Sequence, residues 1–204
     1  MTAVPDRLVP PEGGFTADDL DRMPGLPPHT ESIDGSLVLR SPQKYFRSPA
    51  VYLLDQGLRA TAPPELRVLR GMSVVLGRRD RPEPDLSVVR ADAVTEEAEE
   101  TGFPASAVVL AVEVVSPDSV ERDRDTKPRK HAQAGIPHFW RVEKAEGRRP
   151  VVYVYELDPA TDTYAVNGIH HDRLKVGVPF PVDIDLTEID RFSGSQGLPA
   201  GQMR

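Results

Sequence analysis

Residues 107–115 read AVVLAVEVV, eight apolar residues around a single carboxylate, Glu113. An apolar run of this length suits a strand covered on both faces, of the kind found inside a sheet. The residues after it indicate its neighbours. Beyond SPDS the pattern turns helical from about Asp123 to Ala134. Pro128 is tolerable only in a first turn, which predicts a start near Asp123–Asp125 with an Asp as N-cap. Gly135 and Pro137 stop the helix, and HFWRVE supplies the next strand.

An ionised carboxylate inside such a strand is costly unless it is paired or bound to a metal. Two readings are open for Glu113: a structural salt bridge with Arg141 or Lys127, or a metal ligand. A second carboxylate stands in EPDLSVV, where Asp85 opens another short strand and Glu83 is a backup. Taken alone, an Asp after Pro is a turn residue. If the two strands are neighbours, Asp85 and Glu113 converge at one sheet end, and two oxygen ligands suit a hard cation such as Mg²⁺. Lys127, at the start of the returning helix, would lie over the same end; its alternative is a surface lysine. Asp, Glu and Lys around a metal are the equipment of phosphodiester hydrolysis.

Two stretches, EPDLSVV and LAVEVVSPDSVERDRDTKPRKHAQAGIPHFWRVE, resemble the Uma-type family of restriction endonucleases in the PD-(D/E)XK nuclease superfamily. The earlier HTESIDGSLVLRSPQ resembles that family's N-terminal segment, and the likeness covers roughly residues 15–160. It implies an α/β (α+β) fold with a restriction-endonuclease-like core, a mixed β-sheet flanked by helices, here with extra C-terminal strands. It implies that Asp85, Glu113, Lys127 and Glu31 are catalytic. Mg²⁺ or Mn²⁺ would be held by Asp85, Glu113, the Val114 carbonyl and Glu31, and the substrate would be DNA. Val115 stands where the ordinary motif has lysine, and Lys127 matches the place to which this family moves it. Two residues depart from the pattern: Arg47 stands near a usual His, and His131 where Tyr is common.

The formal net charge of −7 gives no overall basic footprint. A local basic segment, Arg122, Arg124, Arg129 and Lys130, is expected to track a phosphate backbone; His131 beside it reads as a packed helix residue or as an accessory phosphate contact, and TEEAEE at 95–100 as a solvated segment. Cysteine is absent, which excludes disulfides and thiolate metal sites. No run approaches a membrane span and no signal-peptide core opens the chain, so the expectation is a cytoplasmic protein. A homodimer suits an enzyme that cuts two strands.

The remaining elements are read from local patterns. FTADDLDRMP predicts a short helix with Thr16 and Asp19 in a capping box. Asp34-Gly35 predicts a hairpin turn, and residues 48–61 a helix. LRVLRGMSVVLG predicts strand, residues 92–103 a polar loop or short helix, and the stretch after 150 several antiparallel strands. Residues 1–14 and 193–204 read as loose ends of one domain, 1–204. Two other classes remain open: a non-catalytic nucleic-acid-binding or assembly module on the same fold, and a β-rich small-ligand binder.

Overall fold

The computed structural model describes residues 8–40, 44–95, 99–145 and 149–192. One helical turn, α1 (Asp19–Arg22), precedes the hairpin β1 (Glu31–Ile33) and β2 (Ser36–Val38). Helix α2 (Arg47–Thr61) leads to β3 (Leu66–Arg70), β4 (Ser73–Val75), β5 (Leu86–Arg90), β6 (Gly102–Pro104) and β7 (Val108–Val114). Helix α3 (Lys127–Gln133) returns the chain to β8 (His138–Lys144). Then come β9 (Pro150–Asp158), β10 (Thr163–His170), β11 (Arg173–Val176), β12 (Val182–Asp185) and a final turn, α4 (Ile189–Phe192).

Six strands form one mixed sheet in the order β10-β9-β8-β7-β5-β3. The apolar run lies inside it as β7, with Leu110, Ala111 and Val112 wholly buried. β7 and β8 run parallel, a pairing that needs a crossover, and α3 is that crossover. The other ladders of the sheet are antiparallel.

Alternation along the strands gives the sheet two different faces. Val112, Val114, Trp140 and Val142 pack with Leu54 and Leu58 of α2 and with Leu174 and Ile184 of the β11–β12 hairpin. Gly57 permits this approach, because a Cβ there would stand 2.3 Å from the Ile184 side chain. Residues of opposite parity, Glu113 and Phe139, meet α3: Glu113 through Lys127, and Phe139 by stacking on His131 at 5.7 Å.

The β1–β2 hairpin turns at Asp34 and Gly35, both with positive φ (53° and 76°), as a two-residue hairpin loop requires. It docks through backbone bonds between Ser32 and Arg81 (3.2 and 2.8 Å) onto the segment leading to Asp85. Arg81 is itself buried and anchored by Asp21 at 2.6 and 3.0 Å, by the Ala17 carbonyl at 3.0 Å and by Thr101 at 2.9 Å. The stretch that carries Glu83 and Asp85 is therefore fixed on both sides.

Three local expectations need correction. The helix after β7 does not begin from an Asp cap: a wide π turn, Arg122–Thr126, comes first, and α3 proper starts at Lys127. Proline has no N–H and its ring collides with the carbonyl four residues back, so a widened turn just before Pro128 removes that clash. The freed Asp123 turns inward. Gly102–Pro104, expected as loop, is a strand paired in parallel with β4. Finally, the inner end of the expected loose arm is tied down, with Arg79 donating to the Gly13 carbonyl at 3.0 Å and the Gly14 N–H to the Pro11 carbonyl at 2.9 Å. Residues 1–7 and 193–204 lie outside the described residues. No helix among the described residues is long and apolar enough to cross a membrane.

Candidate active site

Leu86 of β5 pairs with Val112 of β7, so the next residue outward, Asp85, stands opposite Glu113 at the sheet end. Asp85 is held there by its own chemistry: Oδ2 accepts the Val114 N–H at 2.7 Å. β1 brings Glu31 to the same place, and Glu31 Oε1 accepts the Glu83 N–H at 2.9 Å. The alternating prolines at 82 and 84 stiffen this segment, and residues 81–85 are all buried.

Lys127, at the junction of the π turn and α3, reaches into the cluster. Its Nζ lies 2.9 Å from Glu31 Oε1, 3.0 Å from Glu113 Oε1 and 3.7 Å from Asp123 Oδ1. Arg40, just beyond β2, is 3.3 Å from Glu31 and 3.7 Å from both Glu83 and Asp85, and it also donates to the Glu83 carbonyl. Arg47, at the head of α2, pairs with Asp85. His29 contacts Glu83 at 2.7 Å from the rim.

The electrostatics follow from burial and from this pairing. Burial pushes the Glu113 carboxyl up to about 7; Lys127 opposes the rise, and Asp123 and Glu31 reinforce it. Burial acts in the same sense on Glu31, but Lys127 and Arg40 outweigh it and hold Glu31 below its ordinary value. For Lys127 burial alone would favour the neutral amine, yet Glu113, Glu31 and Asp123 overrule it and the ammonium is held above its usual range. Lys127 is thus a cation and not a base. Arg47 is lowered by burial and by repulsion from Arg40.

Five carboxylates, Glu31, Glu83, Asp85, Glu113 and Asp123, share this wall with three cations, Arg40, Arg47 and Lys127. The carboxylates are each 7% exposed or less. A buried surplus of negative charge is relieved by protonation, toward which Glu113 is pushed, or by a counter-cation. An all-oxygen donor set of this kind chemically fits a hard divalent ion. Asp85 and Glu113 would hold it, with Glu31 and the neighbouring backbone of Val114. Among the described residues no three such groups already stand in a metal-holding array.

The residues singled out from sequence therefore separate. Asp85, Glu113, Glu31, Val114 and Lys127 line one narrow cleft of about 30 Å³, together with Arg122. Arg124 is instead engaged with Glu143 at 2.9 and 2.5 Å, and Lys130 with Asp34 at 2.6 Å and Asp80 at 2.8 Å. Arg129 is exposed on α3. His131 is a correction: it is wholly buried, and burial, with Lys127 close by, lowers it to about 3. It is a neutral core ring and reaches no phosphate. Sequence reasoning missed Arg40, whose only signal was its place at the end of the hairpin strand. It treated Arg47 as a departure, although Arg47 touches the candidate ligand itself.

A six-stranded mixed sheet with helices on both faces and carboxylates at the ends of two central strands is a nuclease-like fold. A solved structure of "a putative nuclease belonging to DUF820" from Anabaena variabilis ATCC 29413 shares it, with a TM-score of 0.61 over 87% of this chain and 98% of that one, at 17% identity. The Uma2 family pattern, described as "Putative restriction endonuclease", matches residues 17–187, and the chain belongs to that family. No curated protein matches the sequence.

Proposed function

We propose that this chain is a divalent-metal-dependent endonuclease that hydrolyses DNA phosphodiester bonds at the cleft between β5, β7 and α3. The observation that carries this reading is the meeting of Glu31, Glu113 and Lys127 within 3.0 Å contacts, in a cleft that Asp85 also lines. Asp85 and Glu113 are the ligands of Mg²⁺ or Mn²⁺, with Glu31 and the Val114 carbonyl assisting. Such a cation, when bound, polarises a phosphoryl oxygen and acidifies a coordinated water. Lys127 keeps its proton and offers positive charge to the phosphate as negative charge develops on it. Arg40 and Arg47 are within reach of the same carboxylates and can transfer their hydrogen bonds to an arriving phosphate, which suits planar guanidinium groups. DNA as substrate goes with a cytoplasmic location. Cutting both strands goes with a homodimer that presents two clefts.

One observation favours the non-catalytic module instead: Arg47 and Arg40 already engage Asp85. A cleavage assay decides between them. Wild-type protein with Mg²⁺ or Mn²⁺ is expected to nick plasmid or cut single-stranded DNA, and Glu113→Ala and Lys127→Ala to abolish it. Cleavage that survives both substitutions removes the mechanism. Absence of any divalent-dependent cleavage supports the module.

A further inference from the structure

Arg47 lines three adjoining cavities. One is the carboxylate cleft. A second, of about 620 Å³, runs toward the end of β7 past Tyr45, Phe46, Pro117, Val120 and Lys144. The third, also of about 620 Å³, runs the other way past Tyr45, Arg40, Lys44 and Arg70. Together they make a trough that crosses the candidate active site, with Tyr45 and Arg47 at its centre.

Tyr45 is the unusual residue of this trough. Its hydroxyl is already used, donating to the Phe192 carbonyl at 2.8 Å, yet the residue is 65% exposed. Here the one polar atom is satisfied and the aromatic face is left in solvent, restrained by that hydrogen bond. The apolar lining beside it (Phe46, Val115, Pro117 and Val120) suits a flat ring. The charge pattern suits phosphates. Lys44 and Lys144 flank the aromatic and make no ion pair among the described residues, while Arg124 is neutralised by Glu143. The two lysines put local positive charge on either side of the aromatic, beside the acidic cleft.

We infer that the trough seats a single-stranded segment of DNA, with an unpaired base stacked on Tyr45 and flanking phosphates on Lys44 and Lys144, beside the scissile position. This deepens the nuclease reading and rests on it. In a duplex the faces of the bases are hidden in the stack, so an aromatic platform serves only an unpaired or extruded base.

The test is fluorescence anisotropy with labelled oligonucleotides and the full chain in chelator, so that no cleavage enters. Three probes of equal length are compared: a single strand, a duplex, and a single strand made of abasic sites. The normal single strand is expected to bind most tightly. Tyr45→Ala is expected to weaken that binding by about 5- to 100-fold, the range of one base–aromatic stack, while leaving the abasic strand unaffected. Tyr45→Trp should preserve or tighten it. Tyr45→Ala binding as well as wild type, or the abasic strand binding as well as the normal one, overturns the inference. Failure of the nuclease reading looks different: stacking persists in chelator, but no divalent ion produces cleavage.

Discussion

Lys127 donates to Glu113 at 3.0 Å from the first residue of the helix that comes after Glu113's own strand. The strand–turn–helix return thus closes a buried ion pair between residues 14 apart in sequence. The same ammonium holds Glu31, 96 residues away, at 2.9 Å. One side chain therefore joins the N-terminal hairpin to the central strand, so its loss has structural consequences apart from its proposed role in catalysis.

Lys127→Ala leaves Glu31, Glu113 and Asp123 without their shared cation. Removing one partner of a buried pair costs roughly 3–5 kcal/mol. For a chain of this size that corresponds to a melting-point drop on the order of 10 °C. Thermal melts without divalent ions check it. Added Mn²⁺ should recover part of the loss, because the uncompensated carboxylates are then free to bind it.

Glu113 makes stability fall as pH rises. Its folded value of about 7 lies above the ordinary 4.5, so in this window the folded state keeps a proton that the unfolded chain has released. The contribution is complete below the ordinary value and is lost as pH rises through about 7. Glu113→Gln should flatten that decline between pH 5 and pH 8, as measured by denaturant unfolding. Glu31 acts oppositely: its folded value lies below the ordinary 4.5, so its contribution is lost on acidification and it adds little slope between pH 5 and pH 8, where the comparison is made. An unchanged pH slope in the variant contradicts the assignment.

Arg47 engages Asp85 and so competes with any cation that uses this carboxylate. Arg47→Ala is expected to tighten Mn²⁺ binding by roughly tenfold, the order expected for one close charge that is partly screened by solvent. Calorimetry reads this directly, and weaker Mn²⁺ binding would mean that Arg47 helps to build the site.

Gly57 gives a test of the packing. In an ordinary helix interior Gly→Ala stabilises by up to about 1 kcal/mol. Here the added Cβ would fall 2.3 Å from Ile184, where overpacking costs about 1–3 kcal/mol. Gly57→Ala should therefore lower the melting point, and a rise would mean that the β11–β12 hairpin moves aside freely.

Much of this architecture was legible in short-range patterns. The apolar run 107–115 announced a central strand, Asp34-Gly35 a hairpin, and the 48–61 stripe a helix. Asp85, Glu113 and Lys127 could be connected because each sits at the border of a local element. The remainder depended on long-range geometry. Arg40 and Arg47 meet Asp85 only because the hairpin and α2 dock on the same sheet end. Lys130 and Arg124 looked free in sequence, but their partners Asp34, Asp80 and Glu143 come from other elements. For His131 two readings stood open in sequence, a packed helix residue or a phosphate contact, and Phe139 lying beneath the crossover decides for the first.

The Asp85–Glu113 sheet end, as a divalent-cation site serving phosphodiester hydrolysis, is the centre of this account. Its most direct test is isothermal titration of Mn²⁺ into wild-type protein and Glu113→Gln at pH 8, where Glu113 is ionised. Saturable binding to wild type is predicted, weakened at least tenfold by Glu113→Gln, while the variant retains wild-type melting behaviour or better. Equal isotherms for the two proteins would contradict it.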